Sequence, residues 1–132
     1  MNTPYDIVYT KKITVQKQHL DDLDHVNNAV YVLWIQDIAS EHWLSKRSQS
    51  HTDEAYWVVL EHHIQYLRQA YLNDQLKVET FVESPVGVRF PRNVNFYRGN
   101  QLVVKARTLW CWVDNKTHRP RRITQEMLQG FL

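Results

Sequence analysis

From Ala29 to about Lys46 the chain runs without a single Gly or Pro, and Val30, Leu33, Trp34, Ile38 and Leu44 recur at helical spacing. The spacing predicts one long helix. On a helical wheel Tyr31, Ile35, Ala39 and His42 cover a second side, so this helix is expected to be apolar over most of its circumference and largely surrounded by protein. Such a helix needs a sheet to hide in, and the rest of the chain supplies one. Tyr5 to Val15 is β-branched and aromatic with imperfect alternation. The segments Tyr56 to Leu67, Gln75 to Glu83, Arg92 to Tyr97 and Leu102 to Val113 are rich in Val, Tyr, Phe, Trp and Thr. Turn residues punctuate them at Asn73-Asp74, Ser84-Pro85-Val86-Gly87 and Arg98-Gly99-Asn100, the last with a two-residue hairpin signal. Leu76, Val78 and Val82 alternate with Lys77, Glu79 and Glu83, which predicts one buried and one wetter face. The tail from Ile123 to Leu132 is expected to form a last helix capped by Thr124. The expected class is therefore α+β: an antiparallel five-stranded sheet wrapped around one long central helix, its last four strands in a meander.

At 132 residues, 43% hydrophobic and 23% charged, the chain fits one domain, residues 1–132, with a real core. The formal charge of +2 does not point to nucleic acid, although a mildly basic surface suits a phosphorylated small molecule. Cys111 is the only cysteine, so no intramolecular disulfide can form, and the start Met-Asn-Thr-Pro-Tyr-Asp lacks signal-peptide features. A cytoplasmic location is expected. No apolar run approaches the roughly 20 residues of a membrane span.

The chemistry concentrates just ahead of the helix, in Leu20-Asp21-Asp22-Leu23-Asp24-His25-Val26-Asn27-Asn28-Ala29-Val30-Tyr31. A helix N-terminus carries unsatisfied amides and about half a positive charge, so it can hold an oxyanion while a nearby Asp acts on the carbon attached to it. That points to acyl transfer to water. From the residues alone Asp21, Asp22 and Asp24 compete for the role, since any of them could cap the helix or accept turn amides. Asn27 and Asn28 are good capping and turn residues in their own right, and a helix-proximal His25 commonly serves as a structural hydrogen-bonding group.

The element order and this motif together resemble the hotdog-fold acyl-CoA thioesterases, in the branch with 4-hydroxybenzoyl-CoA thioesterase and the bacterial long-chain acyl-CoA thioesterases. His25-Val26-Asn27-Asn28-Ala29 matches one subgroup's His-Val-Asn-Asn-Ala form, and Asp21 lies ten residues ahead of Tyr31 as the family's loop Asp does. Arg119-Pro120-Arg121-Arg122-Ile123 is a weaker match. The resemblance implies that Asp21 is the catalytic carboxylate, as general base or as nucleophile, and that the Asn28 amide polarises the thioester carbonyl. It implies a supporting place for His25 and a substrate-facing place for Asn27 and Tyr31. It also implies an acyl-CoA or acyl-carrier-protein substrate, no cofactor, and a homodimer or homotetramer with substrate at the subunit interface. Two departures stand out: Asn28 occupies a place where another subgroup uses His, and Asn73-Asp74 replaces the usual Gly-Asp.

Other residues carry weaker expectations. Asp37 and Glu41 lie one turn apart, beside Trp34, and a second subgroup places its carboxylate on this helix, which makes Asp37 the alternative catalytic residue. Arg119, Arg121 and Arg122 suit the phosphates of coenzyme A, with Arg89 and Arg92 as further candidates. Glu61-His62-His63 gives no zinc spacing, because adjacent strand residues face opposite sides. Cys111, in an apolar strand, reads as a small core residue. The competing functions are a non-hydrolytic acyl-binding protein and a dehydratase or hydratase on acyl thioesters.

Overall fold

The computed structural model describes residues 8–46 and 54–131. Strand β1 (Tyr9–Thr14) leads through a 3-10 turn (Lys17–His19) and the motif loop into helix α1 (Asn28–Lys46). Then follow β2 (Ala55–Tyr66), β3 (Gln75–Val82), β4 (Arg89–Arg98), β5 (Gln101–Asp114) and a 3-10 helix (Glu126–Phe131). The part of the opening run before residue 8 lies outside the described residues. Pro91 hid the start of β4 from pattern reading. It is tolerated there because its carbonyl faces β3, accepting from the Glu83 amide (3.0 Å). Its missing donor therefore points past Val82, the last residue of β3 paired with β4.

All pairings are antiparallel and the spatial order is β1-β3-β4-β5-β2. This corrects the expected four-strand meander. Strands β3, β4 and β5 do form one, closed by the Gly99-Asn100 turn with Gly99 at φ 58°. Strand β2, however, sits beyond β5 at the edge, while β3 pairs with β1. The reason lies in residues 67–74, which cross the end of the sheet instead of turning back. The Leu67 and Arg68 amides bond the Val103 carbonyl, the Ala70 carbonyl accepts from the Val26 amide, the Asn73 amide bonds the Val15 carbonyl, and the Val15 amide bonds the Asp74 carbonyl. The crossing thus latches β5, the motif loop and β1 together.

Helix α1 lies on the inner sheet face, burying Tyr31, Trp34, Ile35, Ile38, Ala39 and His42. It is less enclosed than its composition suggests. Leu33, Asp37, Ser40 and Leu44 form an exposed stripe at i, i+4, i+7 and i+11, because a single sheet covers only one side of a helix. Glu41 pairs with Lys11 of β1. The tail is a 3-10 helix, not an α-helix, although Thr124 does accept the Met127 amide at 3.4 Å.

The buried apolar residues fall into two clusters. One gathers Tyr31, Trp34, Ile35 and Ile38 with Leu76, Val78, Val94 and Phe96. The other gathers Val82, Phe90, Trp112, Ile123, Met127 and Leu128, with Trp43, Trp57 and Trp110 packed against it. Between them runs a polar band. Arg92 is in register with Thr108, and Thr108 with His62. Thr80 and His42 both meet the Arg92 guanidinium.

Candidate active site and an aromatic cavity

The motif loop folds back on itself as a miniature hairpin. The Asn27 amide bonds the His19 carbonyl, Leu20 bridges Val26, and the Asp21 amide bonds the His25 carbonyl (2.8 Å). Asp24, at φ 63°, turns the chain at the tip. Asp21 secures this shape: its Oδ1 accepts the Leu23 and His25 amides at 2.9 and 3.2 Å. Its Oδ2 has no protein partner among the described residues. Asp22 and Asp24 stand exposed. The helix cap falls to Asn27, whose Oδ1 accepts the Ala29 amide and whose carbonyl accepts the Val30 amide, both at 2.9 Å. The Asn28 amide, first in the helix, has no acceptor among the described residues. A partly engaged carboxylate and an open helix-start amide therefore share one small hairpin, which stands two residues along its ladder, or roughly 7 Å, between Asp21 and Asn27.

Packing fixes this hairpin on the fold. Val26 is buried in the first cluster and bonded to Ala70, and the His25 ring meets Tyr71 edge-on at 5.5 Å. His25 therefore touches Asp21 through its backbone amide. Asp74 holds Tyr71 by its amide and is itself paired with Arg98 at 2.8 Å. The Tyr66 hydroxyl donates to the Asn28 carbonyl at 3.3 Å, which ties the end of β2 to the helix start.

The remaining sequence candidates scatter. Tyr31 is in the core, 2% exposed, packed on Trp34, Tyr66 and Phe96, and burial pushes its phenol up to about 12. Asp37 is on the exposed stripe, nine residues and roughly 13 Å along α1 from Asn28. Arg89, Arg119 and Arg122 are exposed or nearly so, whereas Arg121 is engaged by Glu54 and Asp114. Arg121, Arg122 and Trp112 line a shallow hollow of about 260 Å³.

A second cavity, of about 300 Å³, opens beside the C-terminal half of α1, walled by Trp43, Trp57, Phe90, Arg92, Trp110 and Trp112. Of these walls the sequence put forward only Arg92, as a candidate for the phosphates of coenzyme A, yet it falls in phase with Phe90, Val94 and Phe96, where an apolar residue is expected. Its Nη1 lies 2.9 Å from both His42 Nδ1 and Thr80 Oγ1. Burial, with Arg92 and Lys46 nearby, pulls His42 down to about 3, so its neutral ring can accept from Arg92. Among the described residues, no three His, Cys, Asp or Glu side chains come together to hold a metal ion.

One antiparallel sheet folded around one long helix is the hotdog arrangement. Residues 15–131 match the model of the thioesterase-like superfamily, and the chain belongs to that family. It is a thioester hydrolase. Among solved structures it is similar to the probable thioesterase YbaW from Escherichia coli, at 25% identity and TM-score 0.84, covering 92% of this chain and 94% of that one. It also resembles SAV2348 from Staphylococcus aureus, solved in complex with CoA, at 16% identity and TM-score 0.86 over 98% and 85% of the two chains. Slr0204, a 1,4-dihydroxy-2-naphthoyl-CoA thioesterase from Synechocystis, superposes at 14% identity and TM-score 0.81 over 94% and 95%. Among proteins of curated function, none matches the sequence. No described helix is long and apolar enough to cross a membrane.

Proposed function

We propose that the protein hydrolyses acyl-CoA thioesters, with Asp21 as the attacking or water-activating carboxylate and the Asn28 amide as the donor to the carbonyl oxygen. The observation that carries this reading is the shared hairpin. It holds Asp21 by one carboxylate oxygen, leaves the other open, and presents the one helix-start amide that Asn27 does not satisfy. A donor fixed in place before reaction costs no reorganisation as charge builds on the oxygen. Asn27 positions that amide, and His25 positions Asp21 through its backbone.

The site is completed by a second copy. Strand β2 is a twelve-residue edge strand carrying half-exposed Tyr56, Val58, Leu60 and Tyr66, the kind of edge that pairs with another chain. Antiparallel pairing of β2 with its own copy sets the Ala55 end of one chain beside the Tyr66 end of the other. That brings the Arg119, Arg121 and Arg122 corner and the aromatic cavity of one copy toward the other copy's Asn28. The arginines there suit the phosphates of CoA, and the cavity receives the acyl group.

The test is thiol release from short, long and aromatic acyl-CoAs by the purified protein, with Asp21→Asn alongside. Turnover lost in that variant with folding intact supports the reading. Full turnover in Asp21→Asn sinks it. In a single turnover in ¹⁸O-water, followed by mass measurement of the protein, label in the Asp21 carboxylate identifies attack by Asp21 itself, with water opening the mixed anhydride at the aspartyl carbon.

A further inference from the structure

Arg92 is 5% exposed and has no carboxylate partner among the described residues. Its hydrogen-bond partners, the His42 ring and the Thr80 hydroxyl, are both neutral and both engage Nη1. The other members of the polar band, Thr108 and His62, bond each other at 3.0 Å and carry no negative charge. A buried cation without a counter-ion is costly, so a position like this persists where something anionic visits it. Burial lowers Arg92 to about 9, which leaves it cationic at neutral pH. The residue forms part of the wall of the 300 Å³ cavity, whose other walls are mostly aromatic, four of them tryptophan. One of those tryptophans, Trp110, has a buried indole N–H with no acceptor among the described residues. The cavity thus offers one positive charge within a largely aromatic lining.

We infer that this cavity is a carboxylate site. It takes an apolar acyl or aryl body among Trp43, Trp57, Trp110 and Trp112, with a carboxylate at its inner end against the Arg92 guanidinium. The planar fork of arginine matches a carboxylate with two parallel bonds, and the aromatic walls select a body that is not itself charged. Thr80 and His42 hold the guanidinium by Nη1. The volume, at the small end of the range for organic ligands, fits a short chain or a single ring. Two sources share this chemistry: a distal carboxylate on the acyl group of a thioester, and the free acid that hydrolysis releases. Both rest on the hydrolase reading for their origin, whereas binding of the acid itself does not.

Tryptophan emission provides the first readout, since four of the five tryptophans wall the cavity. The protein is titrated with octanoate and phenylacetate and with their methyl esters. The acids are expected to act saturably at concentrations roughly ten- to a hundredfold below the esters, the range of a hydrogen bond to a charged group. In Arg92→Met that preference is expected to vanish. Should Arg92→Met fail to fold, Arg92→Lys keeps the charge without the fork, and its preference is expected to fall between the two. Equal action of acids and esters on the wild-type protein overturns the proposal, and so does the absence of any saturable change with the acids. The second arm compares adipoyl-CoA with hexanoyl-CoA. A KM at least tenfold lower for adipoyl-CoA, lost in Arg92→Met, assigns the site to a distal carboxylate. Equal KM values with Arg92-dependent inhibition by the free acid assign it to the product. Inertness of both thioesters with acid binding intact fails the hydrolase reading and leaves the carboxylate site standing.

Discussion

At its N-terminal end α1 presents an exposed hairpin held by backbone bonds and one carboxylate. Along its C-terminal half the same helix faces an aromatic cavity with a cation in its wall. The first end gets its geometry from hydrogen bonds among neighbours in sequence: His19 with Asn27, Leu20 with Val26, Asp21 with His25. The second gets its geometry from residues far apart in sequence, with His42, Thr80 and Arg92 meeting from a helix and two strands. Chemistry that needs one amide and one carboxylate in register is served by a short rigid turn. Selection of a ligand body is served by packing, which many substitutions can reshape.

The contrast can be broken or sharpened by substitution. The largest effect is expected from Asp21→Asn, which keeps an oxygen for the Leu23 and His25 amides but removes the charge. Turnover should fall by about 10²- to 10⁴-fold while the melting temperature barely moves. A large loss of stability instead would make Asp21 a loop fastener and dissolve the division of labour between the two ends.

Next comes acid. His42 is lowered to about 3 and His62 is also lowered by burial, so the unfolded chain binds more protons than the folded one between about pH 3 and 6.5. These histidines should therefore leave stability unchanged above pH 6.5. Below it the loss should reach at most about 1.4 kcal/mol per pH unit for each histidine, and His42→Gln should flatten the profile. Glu83, held low by its Arg107 hydrogen bonds, adds its own loss only below about 4.5, so melting between pH 6.5 and 5 isolates the histidines.

A smaller effect is expected from Asn27→Ala, which removes the helix cap. It should cost about 1 kcal/mol of stability in a denaturant titration and should lower kcat, because the neighbouring Asn28 amide loses its aim. The smallest is Asp37→Asn on the exposed stripe, where thiol release and stability should both stay within measurement error. A loss of turnover there would move the chemistry from the loop onto the helix.

How much of this was legible in the sequence differs between the two ends for a physical reason. The helix, the alternation of Leu76, Val78 and Val82, the Gly99-Asn100 turn and the motif loop all depend on near neighbours, and pattern reading places them. Strand order depends on where residues 67–74 travel, and no local signal says that the Leu67 and Val26 amides will find Val103 and Ala70. Which aspartate takes the turn amides is likewise decided only by the folded loop: Asp21 accepts them, and the cap goes to Asn27. Tyr31 carried two expectations, a substrate-facing place from the resemblance and a protein-covered one from helical phase, and it lies in the core with Trp34 and Ile35. Arg92 is instructive in another way, for it was named only as a phosphate candidate beside Arg89. Its phase with Phe90, Val94 and Phe96 was visible, and a charged residue in phase with a buried run marks a burial that calls for a partner.

The polar band from His62 through Thr108 to Arg92 separates the two apolar clusters, so each cluster packs mainly within itself. Substitutions on opposite sides of it should add in their effects on stability. For the history of such a chain that separation has a practical meaning. The aromatic half can be resized for one acid or another over many generations while the half that carries the hairpin keeps its shape, so preference can drift without each step putting the reaction itself at risk.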